Sequence, residues 1–370
     1  MTLENFQGIF KNKTVFVTGH TGFQGSWLSL WLKLLGANVI GYSLEPPTKP
    51  SLFESLDLQN EMTHIIADIR DKKKLSDSLK THKPDFVFHL AAQSLVRISY
   101  EKPLETFETN VIGTVNVLES IRNCTSVRSC IIMTSDKCYD NKTHRPHLED
   151  DPMGGYDPYS ASKGSAELAV SAYRNSFFGN NRSSNCVEIA TTRVGNVIGG
   201  GDWAKDRIIP DSIRSICDQE NIHIRNPNFI RPWQYVLEPL SGILWLATKM
   251  YLEPNKFSGA WNFGPSVTQE HISVKELVSV ILEKWNSNVG LEIDKNSNDL
   301  YESPSLTIDS SKSKKYLGWE NIFSIEEAID ATVLWYKKFI NVDTDIQQFT
   351  TRQIDNYIAK AKEKNLIWAN

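Results

Sequence analysis

The chain has 370 residues, of which 40% are hydrophobic and 23% are charged, with 20 glycines and 15 prolines. This composition excludes collagen-like and coiled-coil proteins and disfavours disorder. With 40 Lys and Arg against 44 Asp and Glu, the net charge of -4 gives no global positive field for nucleic acid or an anionic membrane. Any anion site must therefore be local.

The cysteines are few and lack the spacing of a metal site or a disulfide framework. No CxxC pair and no ladder with histidine at zinc spacing occurs among Cys124, Cys130, Cys138, Cys186 and Cys217. Residues 1–10 lack a basic region followed by an apolar one, and no apolar run reaches membrane-spanning length. We therefore expect a cytoplasmic protein in a reducing compartment, without a metal.

Short β-rich runs alternate with helical stretches through the first part of the chain. Strands are expected at residues 14–18, 39–42, 64–67, 85–90 and 130–134, and helices at 26–35, 72–80, 105–122 and 160–178. This alternation predicts parallel βαβ units in a Rossmann-like, doubly wound α/β sheet.

The pattern loosens after about residue 200, where prolines interrupt shorter elements. We expect residues 1–200 to form the sheet domain and residues 201–370 mainly a smaller C-terminal α/β lobe that binds substrate. The chain is expected to cross between the two lobes.

Three glycines between the first strand and the first helix suggest a phosphate-binding turn. Gly19, Gly22 and Gly25 form a GxxGxxG spacing that includes Phe23 and Gln24. Missing side chains let the backbone approach a pyrophosphate at the positive end of the helix. Three glycines can also simply satisfy the geometry of a turn, but the flanking strand and helix favour dinucleotide binding.

The end of the second strand bears on which dinucleotide binds. The acid that usually holds the ribose hydroxyl groups is replaced by Ser43. No arginine lies near Ser43 in sequence to bind a 2'-phosphate, and the nearest cation is Lys49. We therefore expect NAD rather than NADP.

Two further segments lie at strand ends where a dinucleotide crosses the sheet. Asp68 and Ile69 follow the third strand and could flank the adenine, although Asp68 could equally cap the helix that begins near Lys72. Ala91 and Ala92 follow the fourth strand, where small side chains leave room for a cofactor or simply pack closely.

A YxxxK pair opens the helix expected at residues 160–178. Asp157 is placed to cap this helix, and Pro158 takes its first position. Tyr159 and Lys163 then lie on one face, where the ammonium can lower the pKa of the phenol and make tyrosinate available as a base. A surface pair is the alternative, but the upstream glycine turn favours the catalytic interpretation.

Polar residues also follow the fifth strand, at the sheet edge where ligands bind in open α/β folds. Thr134 ends the strand, and Asp136 and Lys137 come directly after it. A protonated Asp136 could act as an acid and a desolvated Lys137 as a base. Taken alone, the segment would be interpreted as a solvated ion pair.

Together these motifs resemble the nucleotide-sugar 4,6-dehydratases of the extended short-chain dehydrogenase/reductase superfamily. The similarity is greatest to the branch that acts on CDP-glucose and covers roughly residues 10–330. It is carried by the segments GHTGFQGSWLSLW (19–31), GYSLEPP (41–47), AAQ (91–93), TSDKCYDN (134–141), PMGGYDPYSASK (152–163), GNVIGGGDW (195–203) and IRPWQYVLEP (230–239).

The resemblance implies an internal redox cycle with NAD. Tyr159 deprotonates the hydroxyl group on carbon 4 of the sugar, which Thr134 hydrogen-bonds, while hydride passes to NAD and Lys163 orients the cofactor ribose. Lys137 then removes the proton on carbon 5, Asp136 protonates the leaving hydroxyl group on carbon 6, and the hydride returns to carbon 6. Many relatives carry Glu where Lys137 stands.

The resemblance also implies a CDP-glucose site, whose cytosine preference no single motif explains. The residues that match substrate-binding positions are Gln93, Asn196, Arg207, Arg231 and Asn262. Arginine side chains suit the paired oxygens of a diphosphate. A surface charge pair is the alternative for Arg207.

Two other functions stay open at this stage. A nucleotide-sugar 4-epimerase needs the same tyrosine and cofactor but no acid and base for water loss, so Asp136 and Lys137 favour the dehydratase. A non-catalytic dinucleotide-binding protein would not need Thr134, Tyr159 and Lys163. Relatives commonly form homodimers through two helices, for which residues 105–122 and 160–178 are candidates, although core packing also explains their apolar faces.

Overall fold

The structure, a computed structural model, describes residues 4–140, 142, 145–178, 187–266, 272–293, 306–341 and 343–370. Cys186 lies outside these residues. The strands are β1 Thr14–Thr18, β2 Asn38–Ser43, β3 Thr63–Ile66, β4 Phe86–His89, β5 Ser129–Met133, β6 Glu188–Val194, β7 Val197–Ile198, β8 Ile222–Ile224, β9 Gln234–Tyr235, β10 Gly259–Phe263 and β11 Leu291–Ile293. All five strands expected from the sequence are confirmed to within two residues.

The α-helices vary from single turns to twenty residues. They are α1 Phe23–Leu34, α2 Leu52–Ser55, α3 Leu58–Glu61, α4 Lys72–His82, α5 Val96–Glu101, α6 Pro103–Phe107, α7 Gly113–Arg122, α8 Pro158–Phe177, α9 Ile208–Asp218, α10 Leu237–Leu252, α11 Val274–Trp285, α12 Ser311–Leu317, α13 Ile325–Ile340 and α14 Ile346–Glu363. Among the described residues, no helix is both long and apolar enough to cross a bilayer.

Seven parallel strands form the main sheet in the order β10-β6-β5-β4-β1-β2-β3. The register aligns Thr18 with His89 and His89 with Ile132, so neighbouring strands end at the same edge. The Rossmann-like α/β fold expected from the sequence is confirmed. Because β1 lies between β2 and β4, the chain reverses direction across the sheet at β1, the position where such folds bind ligands.

Side chains alternate between two buried layers on the faces of the sheet. Val15 and Val17 face the larger core, which includes the tryptophans of α1, whereas Phe16 between them faces a second core against α4 and α7. A strand with apolar residues on both faces must be covered on both sides, which explains its unbroken run of hydrophobic residues.

Strands beyond residue 200 are divided between two small sheets and the main sheet. β7 pairs with β9 and β8 pairs with β11 in two small parallel sheets, but β10 returns to the edge of the main sheet beside β6. The C-terminal helices also pack on the larger core, and Trp368 stacks on Phe6 with ring centres 5.0 Å apart. Residues well beyond 200 therefore contribute to the same core as the sheet.

Two local expectations differ from the structure. Asp71, not Asp68, caps α4, because its carboxylate accepts a 3.0 Å hydrogen bond from the Lys74 amide. The single helix expected over residues 105–122 is divided into α6 and α7 by a π-helical segment, Glu108–Ile112. Such segments are rare and are often found at functional sites.

Candidate active site

A cleft of about 1060 Å³ opens at the carboxyl edge of the main sheet. One wall consists of residues that follow β4, β5 and β6, and the other includes residues of α9 and β8. The cleft brings together most of the residues singled out in the sequence: Gln24, Ala92, Thr134, Asp136, Lys137, Tyr159, Lys163, Asn196, Arg207 and Arg231.

The first turns of α8 carry the YxxxK pair into this cleft. The Asp157 carboxylate accepts a 2.9 Å hydrogen bond from the Ser160 amide, and Pro158 occupies the first helical position, as expected. Tyr159 and Lys163 are both buried, and Lys163 Nζ lies 6.0 Å from the centre of the Tyr159 ring. The helix start thus fixes both side chains on one face.

The protonation of this pair differs from the sequence-based expectation. Burial raises the pKa of Tyr159 to about 12, although a hydrogen bond with Ser135 and the charge of Arg207 oppose the rise. Burial also lowers the pKa of Lys163 to about 8. Loss of solvent around the phenol thus outweighs the charge of Arg207, and the lowering of the Tyr159 pKa by Lys163 stays a prediction.

Ser135 is a site residue that the sequence analysis missed. Its hydroxyl group donates a 2.9 Å hydrogen bond to Asp136 Oδ1, accepts from the Lys137 amide at 3.2 Å, and hydrogen-bonds the Tyr159 phenol. Ser135 also caps a 3₁₀ turn over residues 136–138 that directs the next side chains. The available sequence signal was its place within the Thr-Ser-Asp-Lys segment.

Asp136 has the environment of a proton donor. It is 2% exposed, and its Oδ2 atom has no hydrogen-bond partner among the described residues. Burial raises the pKa of its carboxyl group, which favours the protonated acid. Lys137 follows on the same turn, is half-buried and lines the cleft.

Thr134 does not present its hydroxyl proton to the cleft. The Oγ1 atom donates a 2.5 Å hydrogen bond to Glu167 Oε1 on α8, and the Thr134 amide donates to the Thr192 carbonyl oxygen at 2.9 Å. The residue lines the cleft but is only 6% exposed. In this geometry Ser135, rather than Thr134, holds a hydroxyl group against Tyr159.

The glycine turn forms a cradle that fits a dinucleotide. Gly19 has a φ of +76°, and a Cβ atom on Gly25 would lie 2.1 Å from the Gly19 carbonyl oxygen. Helix α1 begins at Phe23, directly after Gly22. The backbone amides of its first helical turn, which have no partner within the helix, therefore lie beside the glycine loop. Gln24 lines the cleft, and its buried Oε1 atom has no partner among the described residues.

The neighbouring strand ends are also compatible with a bound dinucleotide. A Cβ atom on Gly19 would lie 2.7 Å from the Ala91 amide nitrogen, so the two backbones approach closely. Ile69 is buried, and Asp68 forms an ion pair with Arg70 at 2.6 Å. The role of Asp68 and Ile69 beside the adenine stays a prediction.

Ser43, the last residue of β2, stands where dinucleotide-binding folds usually carry an acidic residue, and its hydroxyl group pairs with that of Thr21. Ser43 Oγ lies 2.9 Å from Thr21 Oγ1, which also donates to the Leu44 carbonyl oxygen at 3.0 Å. Because Thr21 uses its proton on Leu44, the Ser43 hydroxyl group donates to Thr21. This arrangement places no carboxylate beside the ribose position of the cradle.

Positively charged side chains line the far wall of the cleft. Arg207 forms an ion pair with Asp202 at 3.0 Å and donates to Ser94 Oγ at 3.1 Å, so it links the second lobe to the loop after β4. Arg231 is buried in the same wall, and Asn196 lies after β6. The cluster provides the local anion site that an acidic protein requires.

Two residues expected to bind substrate lie outside the cleft lining. Gln93 uses its side chain locally: Nε2 donates to the Leu95 carbonyl oxygen and Thr106, and Oε1 accepts from the Leu95 amide. Asn262 is fully buried; Nδ2 donates to the His147 and Asp309 carbonyl oxygens, and Oδ1 accepts from Tyr139. Because these atoms already have protein partners, both residues serve to hold loops.

Comparison with known proteins identifies the family. The sequence model of the family described as GDP-mannose 4,6 dehydratase matches residues 16–332. The chain is also 47% identical over 95% of its length to the CDP-glucose 4,6-dehydratase of Salmonella typhimurium, covering 98% of that protein. The chain belongs to the GDP-mannose 4,6 dehydratase family.

Solved structures share the fold of this dehydratase-family chain. UDP-glucose 4-epimerase from Thermotoga maritima, solved with UDP-glucose, has a TM-score of 0.76 at 22% identity, with 88% of this chain and 99% of that chain covered. The dTDP-glucose 4,6-dehydratase of Bacillus anthracis, solved with NAD, has a TM-score of 0.71 at 19% identity, covering 91% and 99%. At these identities the likeness establishes the fold.

One further residue of this family member links the cofactor edge to the catalytic helix. Asn110, in the π-helical segment, accepts from the Gln93 amide at 2.8 Å and donates to the Gln93 carbonyl oxygen and Ser162 Oγ, each at 2.9 Å. Ser162 lies between Tyr159 and Lys163 on α8. No sequence pattern indicates this link between the loop after β4 and α8, because residues 105–122 have a regular helical pattern that does not reveal the π-helical segment.

Proposed function

We propose that this chain catalyses the dehydration of CDP-glucose to CDP-4-keto-6-deoxyglucose and that NAD is its cofactor. The observation that carries the proposal is the 47% identity, across 95% of the chain, to a CDP-glucose 4,6-dehydratase. Asp136 and Lys137 support it, because they share one cleft with Tyr159 and Lys163.

The cradle at Gly19, Gly22 and Gly25 would hold the pyrophosphate of NAD, and Lys163 would hold its ribose. When bound, NAD would accept the hydride from carbon 4 of the sugar and would later return the same hydride to carbon 6. Tyr159 takes the proton of the hydroxyl group on carbon 4. Burial disfavours the phenolate that this role requires, and the charge of Arg207 partly offsets the effect of burial.

Ser135 is proposed to take the place on the carbon 4 hydroxyl group that the sequence analysis gave to Thr134. Both hydroxyl protons have a partner, that of Ser135 on Asp136 and that of Thr134 on Glu167, but Ser135 also acts on the pKa of the Tyr159 phenol. A hydroxyl group beside the base can hold the sugar oxygen while its proton is transferred.

Water loss is proposed to use the two residues after Ser135. The ketone on carbon 4 acidifies the proton on carbon 5, which Lys137 removes. Asp136 donates its proton to the hydroxyl group leaving carbon 6, a role that suits a buried carboxyl group whose pKa is raised. A 4-epimerase does not need this buried acid, so Asp136 favours the dehydratase.

The substrate diphosphate is proposed to bind Arg207 and Arg231, with Asn196 nearby. The Arg207 guanidinium is held by Asp202 at 3.0 Å, which limits its motion before the substrate binds. Guanidinium groups match paired phosphate oxygens in geometry and charge. Preference for the cytosine base rests on the similarity to the Salmonella enzyme.

We also propose that the chain forms a homodimer in the cytoplasm. Exposed apolar side chains lie on α6, the π-helical segment and α8, which pack against one another: Leu104 is 71%, Ile112 51% and Leu168 63% exposed. Exposed apolar side chains on neighbouring helices favour a protein–protein interface at this surface. The free thiols of Cys124, Cys130, Cys138 and Cys217 fit a reducing compartment.

The decisive experiment incubates the purified chain and NAD with CDP-, UDP-, dTDP- and GDP-glucose. We expect mass spectrometry to detect a product lighter by one water, formed fastest from CDP-glucose. A product of unchanged mass with altered sugar configuration would indicate an epimerase instead. Sedimentation of the chain and of Leu168→Glu tests the dimer, because a charge in the interface should give the monomer.

A further inference from the structure

A buried carboxylate behind the cleft contacts three elements of the active site. Glu167 on α8 accepts hydrogen bonds from Thr134 Oγ1 at 2.5 Å, Thr191 Oγ1 at 2.8 Å and Arg193 Nη2 at 2.9 Å. Thr134 directly follows β5, while Thr191 and Arg193 lie on β6. The side chain therefore joins the catalytic helix to both neighbouring strands.

Stability alone gives a poor account of this cluster. Glu167 and Arg193 are 5% and 4% exposed, and Arg193 Nη1 also donates to the Tyr139 hydroxyl group at 2.8 Å and the Glu149 carbonyl oxygen at 2.7 Å. Burying an ion pair is expensive in solvation, and apolar replacements of such pairs are often as stable. The hydrogen bonds of such a pair do, however, fix the positions of the elements that carry it, although Arg193 Nε has no partner among the described residues.

The positions of Glu167 and Thr134 along the chain indicate which parts of the active site their hydrogen bond holds together. On α8, Glu167 lies one turn beyond Lys163 and two turns beyond Tyr159, all on one face. On β5, Thr134 comes directly before Ser135 and Asp136. The carboxylate thus connects the segment that performs oxidation to the segment that performs water loss.

We propose that Glu167 is a positioning residue for both steps, which acts through Thr134 and contacts neither substrate nor cofactor. It holds α8 against the end of β5, so that Tyr159 and Lys163 keep their positions in the cleft relative to Ser135 and Asp136. This inference rests on the proposed function for its kinetic consequences, but its structural consequence does not depend on the reaction.

The test replaces Glu167 with glutamine, which keeps the size of the side chain and removes its charge. Only one acceptor oxygen remains, so the glutamine cannot accept from Thr134 and from the Thr191–Arg193 pair at once; an oxygen turned towards Arg193 leaves Thr134 without its acceptor. We expect kcat to fall about 100-fold, as displacements near 1 Å can produce, while KM for the nucleotide sugar changes less than about threefold because the arginines are untouched.

Glu188→Gln is the matched control. Glu188 is another buried glutamate, at the opposite end of β6, where it accepts a 2.5 Å hydrogen bond from Ser258 Oγ. Its substitution removes a buried carboxylate from β6, the strand that carries Thr191 and Arg193, but at the end that lies away from the cleft. We expect kcat and KM within about threefold of the wild-type values; an equal fall in kcat for both variants would contradict the proposal.

Thr134→Val provides a milder variant if Glu167→Gln does not fold. It keeps the Glu167–Arg193 ion pair and removes the single bond to β5. We expect kcat to fall about tenfold with KM unchanged, because α8 loses one of the hydrogen bonds that hold it against the end of β5. Unchanged kcat in this variant would show that the bond to β5 does not position the site.

Hydrogen exchange separates this inference from the proposed function. In Glu167→Gln or Thr134→Val, amides of residues 134–139 should exchange about tenfold faster than in the wild type, whereas Glu188→Gln should leave them unchanged. Wild-type exchange rates in both Thr134→Val and Glu167→Gln would overturn the positioning role, whatever the enzyme catalyses. A wild-type chain that dehydrates no nucleotide sugar would refute the proposed function alone.

Discussion

The Ser135 hydroxyl group donates to Asp136 Oδ1 across 2.9 Å while it also hydrogen-bonds the Tyr159 phenol. One hydroxyl group therefore lies between the proposed base of the oxidation and the proposed acid of the elimination. This proximity allows both steps to act on one sugar without its release from the cleft. It also makes each group accessible to separate mutational tests.

Ser135→Ala should slow the oxidation at carbon 4. Loss of the hydroxyl group removes a hydrogen bond to the Tyr159 phenol and leaves the base less well aligned, which we expect to lower kcat about 100-fold. Ser135→Thr, which keeps a hydroxyl group, should retain most of the activity. The measurement is the rate of nicotinamide reduction by CDP-glucose in a single turnover; an unchanged rate in Ser135→Ala would assign the role elsewhere.

Asp136→Asn should block water loss more than oxidation. The amide fills the same space, but it cannot protonate the leaving hydroxyl group, so we expect formation of the dehydrated product to slow by 10²- to 10³-fold. Reduced nicotinamide should still form, because Tyr159 and Lys163 are intact. Loss of both steps together would mean that Asp136 mainly maintains the shape of the site.

Lys137→Ala should abolish removal of the proton on carbon 5. When the wild-type enzyme works in deuterated water, the product should carry deuterium at that carbon, and the variant should incorporate it at least about 100-fold more slowly. Lys137→Arg keeps the charge but is too basic to act as a base at neutral pH, so it should also fail. Undiminished incorporation in both variants would reject the assignment.

The sequence predicted the fold and the cleft because its signals are local. The glycine turn, the Asp157 cap and the Tyr159–Lys163 spacing depend on a few neighbouring residues, and each lies where the pattern places it. The residues that the sequence missed depend on contacts between distant segments. Glu167 gains its role from strands β5 and β6, which no spacing within α8 indicates.

The same reason explains the misplaced residues. A polar residue at a strand end is a reasonable candidate for substrate binding, yet Asn262 is enclosed by the segments around His147 and Asp309. Thr134 and Ser135 differ by one position, and only the packing of α8 decides which hydroxyl group faces Tyr159. Side-chain direction in such a turn follows from tertiary contacts.

The buried histidine at the end of β4 should make the stability of the protein fall in acid. His89 Nδ1 lies 2.7 Å from Thr18 Oγ1, and Nε2 lies 3.1 Å from Thr114 Oγ1. Thr114 donates its own proton to the Asn110 carbonyl oxygen, so His89 donates from Nε2 and accepts at Nδ1 as a neutral ring. Burial lowers the pKa of His89 to about 3.

An unfolded chain binds a proton at this histidine below about pH 6.5, whereas the folded chain does not until about pH 3. The stabilisation is therefore complete above the unfolded pKa and is lost as the pH falls towards 3. At about pH 5 the loss amounts to about 2 kcal/mol of the free energy of unfolding. This loss is the difference between the free energies of unfolding that urea denaturation gives at about pH 7.5 and at about pH 5. Between the two pH values, the free energy of unfolding of His89→Gln should fall by about 2 kcal/mol less than that of the wild type. The control His223→Gln, at an exposed position, should lose as much as the wild type. An equal loss in all three proteins would contradict the prediction.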